Sequence, residues 1–141
     1  MEPLDLRRHP PRAPRVPLAG LVFTARVVDK LRATLPGGSL GEYFTDIGMS
    51  VVWAHYAGIS LDELRGIVEN ASTEEEVEAW IAQRTAHIDR ERFNAKLQSL
   101  DSSRVPPAWR DAFDRAYPED LRNAHPVLFD LIEADDARAR R

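Results

Sequence analysis

From Leu18 onward, apolar residues recur every three or four positions, the spacing that gathers them on one side of an α-helix. The stretch Leu18 to Leu35 aligns Leu21, Ala25, Val28, Leu31 and Leu35 in one stripe and stops at Pro36-Gly37-Gly38, a strong breaker. A loop follows from Ser39 to Asp46. A short helix is predicted from Met49 to Ala57, with Gly58 placed to cap it. Ser60 with Glu63, and Thr73 with Glu76, are capping boxes, in which side-chain oxygens satisfy the free backbone donors of a helix start. The helices they open carry Leu61, Leu64, Ile67 and Val68, then Val77, Trp80 and Ile81. Phe93, Leu97 and Leu100 repeat at helical spacing after Asp89. Pro106-Pro107 introduces Trp109, Phe113 and Ala116, and Pro118 closes that segment. The last element carries Val127, Leu128, Leu131 and Ile132 and gives way to charge at Asp135. No segment alternates as a strand would, and no repeat is present.

The predicted architecture is all-α, a single compact domain of six or seven short helices over residues 18–134. An extended Pro/Arg-rich arm precedes it over 1–17, and a charged tail follows over 135–141. Pro10, Pro11, Pro14 and Pro17 forbid a regular helix in the arm, because proline fixes φ and has no N–H to donate. The arm is expected to lie across the domain with its arginines paired to surface carboxylates.

Two charges break the helical pattern. Arg32 falls near the middle of the first stripe, between Val28 and Leu35, and Asp29 lies on its margin. A buried charge costs several kcal/mol unless it is paired, so both need partners. They form either an ion-pair clamp or the polar floor of a pocket.

Composition narrows the function classes. The 141 residues are 43% hydrophobic and 30% charged, ordinary for a globular chain, and the net charge of −4 speaks against a dedicated nucleic-acid binder. With no cysteine, disulfides and thiolate chemistry are excluded. No apolar run approaches the roughly 18 residues of a membrane span, and no apolar signal core follows the N-terminal arginines, so a cytoplasmic location is expected.

His9, His55, His87 and His125 follow no zinc-binding spacing, and no cofactor is expected. Pro36 to Gly41 is glycine-rich but lacks the lysine of a phosphate loop, and no serine sits in a Gly-x-Ser-x-Gly elbow. Asp130, Glu133, Asp135 and Asp136 match no calcium loop and read as a solvated face. His55, with Val51, Val52 and Ile59, is expected to point inward. What remains is a constellation of Arg26, Asp29, Arg32, Glu42, Tyr43 and His55. Folding the loop back on the first helix would suit it to proton transfer on a small anion-bearing substrate. Asp29 or His55 would shuttle the proton and Tyr43 act as acid, with Arg32, Arg26 and Glu42 binding substrate.

At these residues a resemblance arises. Pro11-Arg12-Ala13-Pro14-Arg15, Asp29-Lys30-Leu31-Arg32-Ala33 and Gly41-Glu42-Tyr43 resemble the signature of an uncharacterised bacterial family of small helical domains of unknown function. Its members begin with a Pro-Arg-Ser-Pro arm and end near a Phe-Asp-Leu-Leu segment, to which Phe129-Asp130-Leu131-Ile132 is similar. Gly58-Ile59 and Trp80 fall in the same order. The chain departs from that pattern at Phe44 to Ser50, where the family has Tyr-Asn and then Pro-Leu-Asp. The resemblance implies a helical fold and carries no activity.

Two functional expectations follow. One is a small cofactor-independent enzyme of lyase, isomerase or cyclase type. The other is a non-catalytic ligand-binding or protein-interaction domain. The enzyme predicts a partly apolar pocket reached by Asp29, Arg32 and Tyr43. Self-association stays open at this level.

Overall fold

A computed structural model describes residues 1–139. The described chain is all-α and forms one domain, with eight α-helices and no strand. They are α1 (Thr24–Ala33), α2 (Met49–Ala57), α3 (Leu61–Asn70), α4 (Glu74–Arg84), α5 (Arg90–Ser99), α6 (Arg110–Ala116), α7 (Glu119–Ala124) and α8 (Leu128–Ala139). The helix absent from the apolar pattern is α7, six residues with only Leu121 buried, too short to show a period. Among the described residues no helix is long and apolar enough to cross a membrane.

Local chemistry sets the helix ends. Ser60, Thr73 and Asp89 accept from the N–H three residues on, at 3.4, 3.3 and 3.1 Å, and so start α3, α4 and α5. Gly58 ends α2 in the left-handed conformation that glycine adopts without strain. Arg65 reaches from α3 to the Thr34 carbonyl at 3.0 Å and covers the C-terminal end of α1, which α3 crosses.

The first helix starts six residues later than its apolar spacing predicts. Leu18 and Leu21 exchange backbone hydrogen bonds at 3.1 and 3.0 Å, closing a tight turn through Ala19 and Gly20 at positive φ. Glu78 on α4 accepts from the Ala19 N–H, and Asn94 on α5 accepts from the Val22 N–H, both at 2.9 Å. Phe23 is left-handed too, its N–H bonded to the Pro14 carbonyl at 2.7 Å. Leu18, Leu21, Val22 and Phe23 are therefore buried by a pinned turn, and their helix-like spacing comes from packing. Phe23 stacks on Phe129 of α8 at 5.8 Å.

Helix α1 is the centre of the molecule. Nine of its ten residues are buried, the charged Arg26, Asp29 and Lys30 included. The core around it holds Trp53, Leu64, Val68, Val77, Ile81, Leu97 and Leu131. Its polar flank is covered by the arm, which buries Leu6, Pro11 and Pro14 and exchanges backbone hydrogen bonds with Ser39 at 2.9 and 3.0 Å. Gly38 is required at that crossing. A Cβ there would lie 2.6 Å from the Ala33 carbonyl oxygen and 2.9 Å from that of Leu4.

At the other end, α8 continues through Asp135 and Asp136 to Ala139, where the charge pattern predicts a tail. Asp136 repeats the spacing of Leu128 and Ile132 and is buried with them. Arg140 and Arg141 lie outside the described residues.

Candidate functional site

The arm supplies the partner that Asp29 needs, and that partner is Arg12 rather than Arg32. Asp29, 5% exposed, accepts from the Arg12 backbone N–H at 2.8 Å, from Nε at 3.1 Å and from a terminal nitrogen at 3.0 Å. The same guanidinium bonds Glu74 at the start of α4, one contact being 3.2 Å. Burial works against the charge of Arg12, and Glu74 and Asp29 more than offset it, holding its pKa above the ordinary value. The resulting clamp joins arm, α1 and α4.

Arg32 is bonded elsewhere. It is half-buried, and its Nε donates to the Glu2 carbonyl at 2.8 Å. Between arm and helix runs a groove of about 630 Å³, lined by the apolar Leu4, Leu6 and Pro11 and by the polar His9, Arg32 and Glu74. Asp29 borders it as well. Tyr43 does not, contrary to the pocket expected from sequence.

Arg26 and Tyr43 do meet, at a second place. Arg26, 3% exposed, grips Asp136 of α8 with two terminal nitrogens at 2.7 and 3.1 Å and also donates to the Arg12 carbonyl at 3.2 Å. Its guanidinium lies over the Tyr43 ring at 5.4 Å, and the Tyr43 hydroxyl donates to Asp136 at 3.0 Å. Burial first, then the charge of Asp136, push the Tyr43 phenol above its ordinary pKa. Burial pushes Tyr117 up to about 12. Asp135 is held above the usual carboxylate range, by burial and by Asp136 beside it. One turn after Arg26, the amine of Lys30 donates to Ser50 of α2 at 3.0 Å. Arg12 links the two places, bonding Asp29 through its side chain and Arg26 through its carbonyl.

His55 and Glu42 stand apart from both. His55 is exposed, contrary to its expected inward orientation, because α2 buries Met49, Ser50, Trp53 and Ala57 on the opposite face. It lies beside Tyr56 in a shallow apolar groove of about 330 Å³ with Val51, Val52, Pro106 and Trp109. Glu42 is exposed and touches the cluster only through its charge on Asp135. Asp130 and Glu133 are taken by Arg15 of the arm at 2.8 and 2.9 Å, while Asp136 is buried rather than part of a solvated face. Among the described residues no three such side chains gather as metal ligands would.

The three segments with family character thus converge on α1. Arg12 comes from the arm, Asp29 from the helix, and Tyr43, through Arg26 and Asp136, from the loop. Residues 8–138 match the family described as a domain of unknown function, DUF5069. The chain belongs to that family. No curated protein matches it. The span matched by DUF5069 runs from the arm into α8 and so contains the Arg12, Asp29 and Glu74 clamp and the Arg26, Tyr43 and Asp136 cluster entire.

Arg12, Lys30, Ser50 and Asp136 are the participants missed from sequence. Lysine usage carried a signal for one of them, since only positions 30 and 96 among nineteen basic residues are lysine. Asp136 was readable as the next step of the Leu128 and Ile132 stripe.

Proposed function

We propose that the protein binds a small anion-bearing organic molecule in the groove beneath its N-terminal arm. The observation that carries this is Arg32. Its Nε is engaged by Glu2, and no acceptor takes its terminal nitrogens among the described residues. A guanidinium with both terminal nitrogens free presents the fork that grips a carboxylate or phosphate in two parallel bonds. Leu4, Leu6 and Pro11 offer apolar wall for the rest of the ligand, and the volume falls in the range of about 300 to 1,000 Å³ typical of small-molecule sites. Arg12 is already taken by two carboxylates, Asp29 and Glu74, which leaves the role of anion holder to Arg32.

Binding without turnover is the reading this geometry favours. Both oxygens of Asp29 are engaged by Arg12, and Tyr43 and His55 lie outside the groove. One observation supports a second reading, a cofactor-independent proton-transfer enzyme of lyase, isomerase or cyclase type. His9 lines the same groove as that anion holder, and imidazole is the side chain that changes charge near neutral pH.

The test is a thermal-shift and NMR titration with small organic carboxylates and phosphates. A ligand should raise the melting temperature of the native chain and leave Arg32→Gln unmoved, while the variant alone melts within a degree or two of the parent. Undiminished binding by Arg32→Gln would sink the reading. Exchange of a C–H of the bound ligand in heavy water, lost in His9→Asn, would favour the enzyme.

A further inference from the structure

Seventeen of the nineteen basic residues are arginine, and the two lysines differ sharply in setting. Lys96 is exposed, whereas Lys30 is 7% exposed in the interior. Its Nζ has one hydrogen-bond partner, the hydroxyl of Ser50 at 3.0 Å, and lies 5.8 Å from the centre of the Phe23 ring. No carboxylate pairs with it among the described residues. An ammonium left in this way has donors unspent and no counter-charge, which a low-dielectric interior penalises. Burial, and then the charge of Arg26 one turn back, lower its pKa from 10.5 to about 7, with Asp136 opposing. Nearby, the buried Nε of Arg26 has no acceptor. The corner thus holds an amine with no carboxylate of its own and, beside it, a buried guanidinium N–H with no acceptor, since the one nearby anion, Asp136, is taken by the terminal nitrogens of Arg26.

We propose that Lys30 is a carbamylation site, its amine taking up carbon dioxide in the corner it shares with Arg26 and Ser50. The Nζ lone pair bonds to the carbon of carbon dioxide as one C–O π bond opens onto oxygen. The nitrogen then gives up one proton, which passes to solvent, and the product is the carbamate –NH–COO⁻. Nothing is oxidised or reduced, and no further reactant is consumed. The chemistry selects this ligand in two ways. Carbon dioxide is small and uncharged enough to enter a closed core. Its product carries oxygens that can accept from the unpartnered Nε of Arg26 and from the Ser50 hydroxyl, donors that find no acceptor among the described residues. The charged groups acting on Lys30 are Arg26 on α1 and Asp136 on α8; the Tyr43 hydroxyl bonds that ion pair, and Asp135 and Tyr117 feel its charges. Asp136 opposes the product, but both its oxygens are held by Arg26. The inference is independent of the groove beneath the arm.

The experiment is carbon-13 NMR of the full chain in labelled bicarbonate at about pH 8.5, where an ordinary lysine is still protonated. Trapping with triethyloxonium and peptide mass mapping provides the second readout. The native chain and Lys96→Arg should show a carbamate resonance that fades as the pH falls through about 7, and the trapped mass should map to the peptide containing Lys30. Lys30→Met should lack the resonance, and Ser50→Ala should lower its occupancy severalfold. A native chain with no resonance overturns the proposal. So does a carbamate that persists in Lys30→Met, since it then belongs to Lys96 or to the Met1 amine. If Lys30→Met fails to fold, the mass map of the native chain decides by itself.

Discussion

A lysine amine closed off from water beside a guanidinium is costly to protonate, and Lys30 meets that condition in the middle of the first helix. The cost has a definite pH signature. Burial and Arg26 lower its pKa to about 7 in the folded chain, against 10.5 for an ordinary lysine. Between those two values the unfolded chain binds more protons, so folding stability rises with pH across that window. Below about 7 both states are protonated and the whole penalty is present. The raised phenols of Tyr43 and Tyr117 act in the opposite direction, but only above about 10, where the unfolded phenols begin to ionise. Urea unfolding in bicarbonate-free buffer should therefore show stability climbing from pH 7 to pH 10. Lys30→Met should flatten that climb and gain about 2 to 4 kcal/mol at pH 6, the solvation and pairing cost of a buried ammonium after partial relaxation. Lys96→Met should leave the profile unchanged, and an unchanged profile in Lys30→Met would contradict the account.

Among the elements, the arm has no regular secondary structure of its own, yet it completes the first helix. Arg12 and Arg15 separate its two kinds of contact. Arg12 satisfies a carboxylate that is 5% exposed, so Arg12→Gln strands a buried charge and should cost about 3 to 5 kcal/mol in urea unfolding. Arg15 pairs with Asp130 and Glu133 while its side chain stays 41% exposed, so Arg15→Gln should cost under about 1 kcal/mol. Equal losses would mean that the arm docks by its prolines and leucines alone. The contrast also marks what could be read from sequence. Helices α3 and α4 were legible because each has a capping hydroxyl, one apolar stripe and one wet face. Helix α1 was legible as a helix but not in its surroundings. Asp29 finds its partner seventeen residues upstream, in a segment with no periodicity to report where it lies. In α2, apolar residues occur all round, so Val51, Val52 and His55 were as plausible an inward face as Met49 and Trp53. Only packing decided between them.

Across the whole molecule, the Arg26 and Asp136 pair closes the chain on itself, joining the first helix to the last over 110 residues and holding the Tyr43 loop against both. Distances of this kind are invisible to spacing arguments, and for that reason the candidate site was only half assembled from sequence. Arg26 and Tyr43 were both named, while the carboxylate between them was assigned to a solvated tail. The pair also allows a test of what buried charge contributes to this fold. Arg26→Met leaves Asp136 and Tyr43 facing an apolar stem, and Asp136→Leu leaves Arg26 and Lys30 as two buried cations without an anion. Each single change should cost about 3 to 5 kcal/mol, because an uncompensated charge remains in the interior. The double variant removes both charges together and should lose far less than the sum, giving a coupling of about 2 kcal/mol or more in a double-mutant cycle. Lys30 sharpens the expectation. With Arg26 absent its main electrostatic penalty is relieved, so the pH 7 to 10 climb in stability should shrink in Arg26→Met and steepen in Asp136→Leu. Additive losses with an unaltered pH profile would show that the three charges are buried separately and do not act as one group.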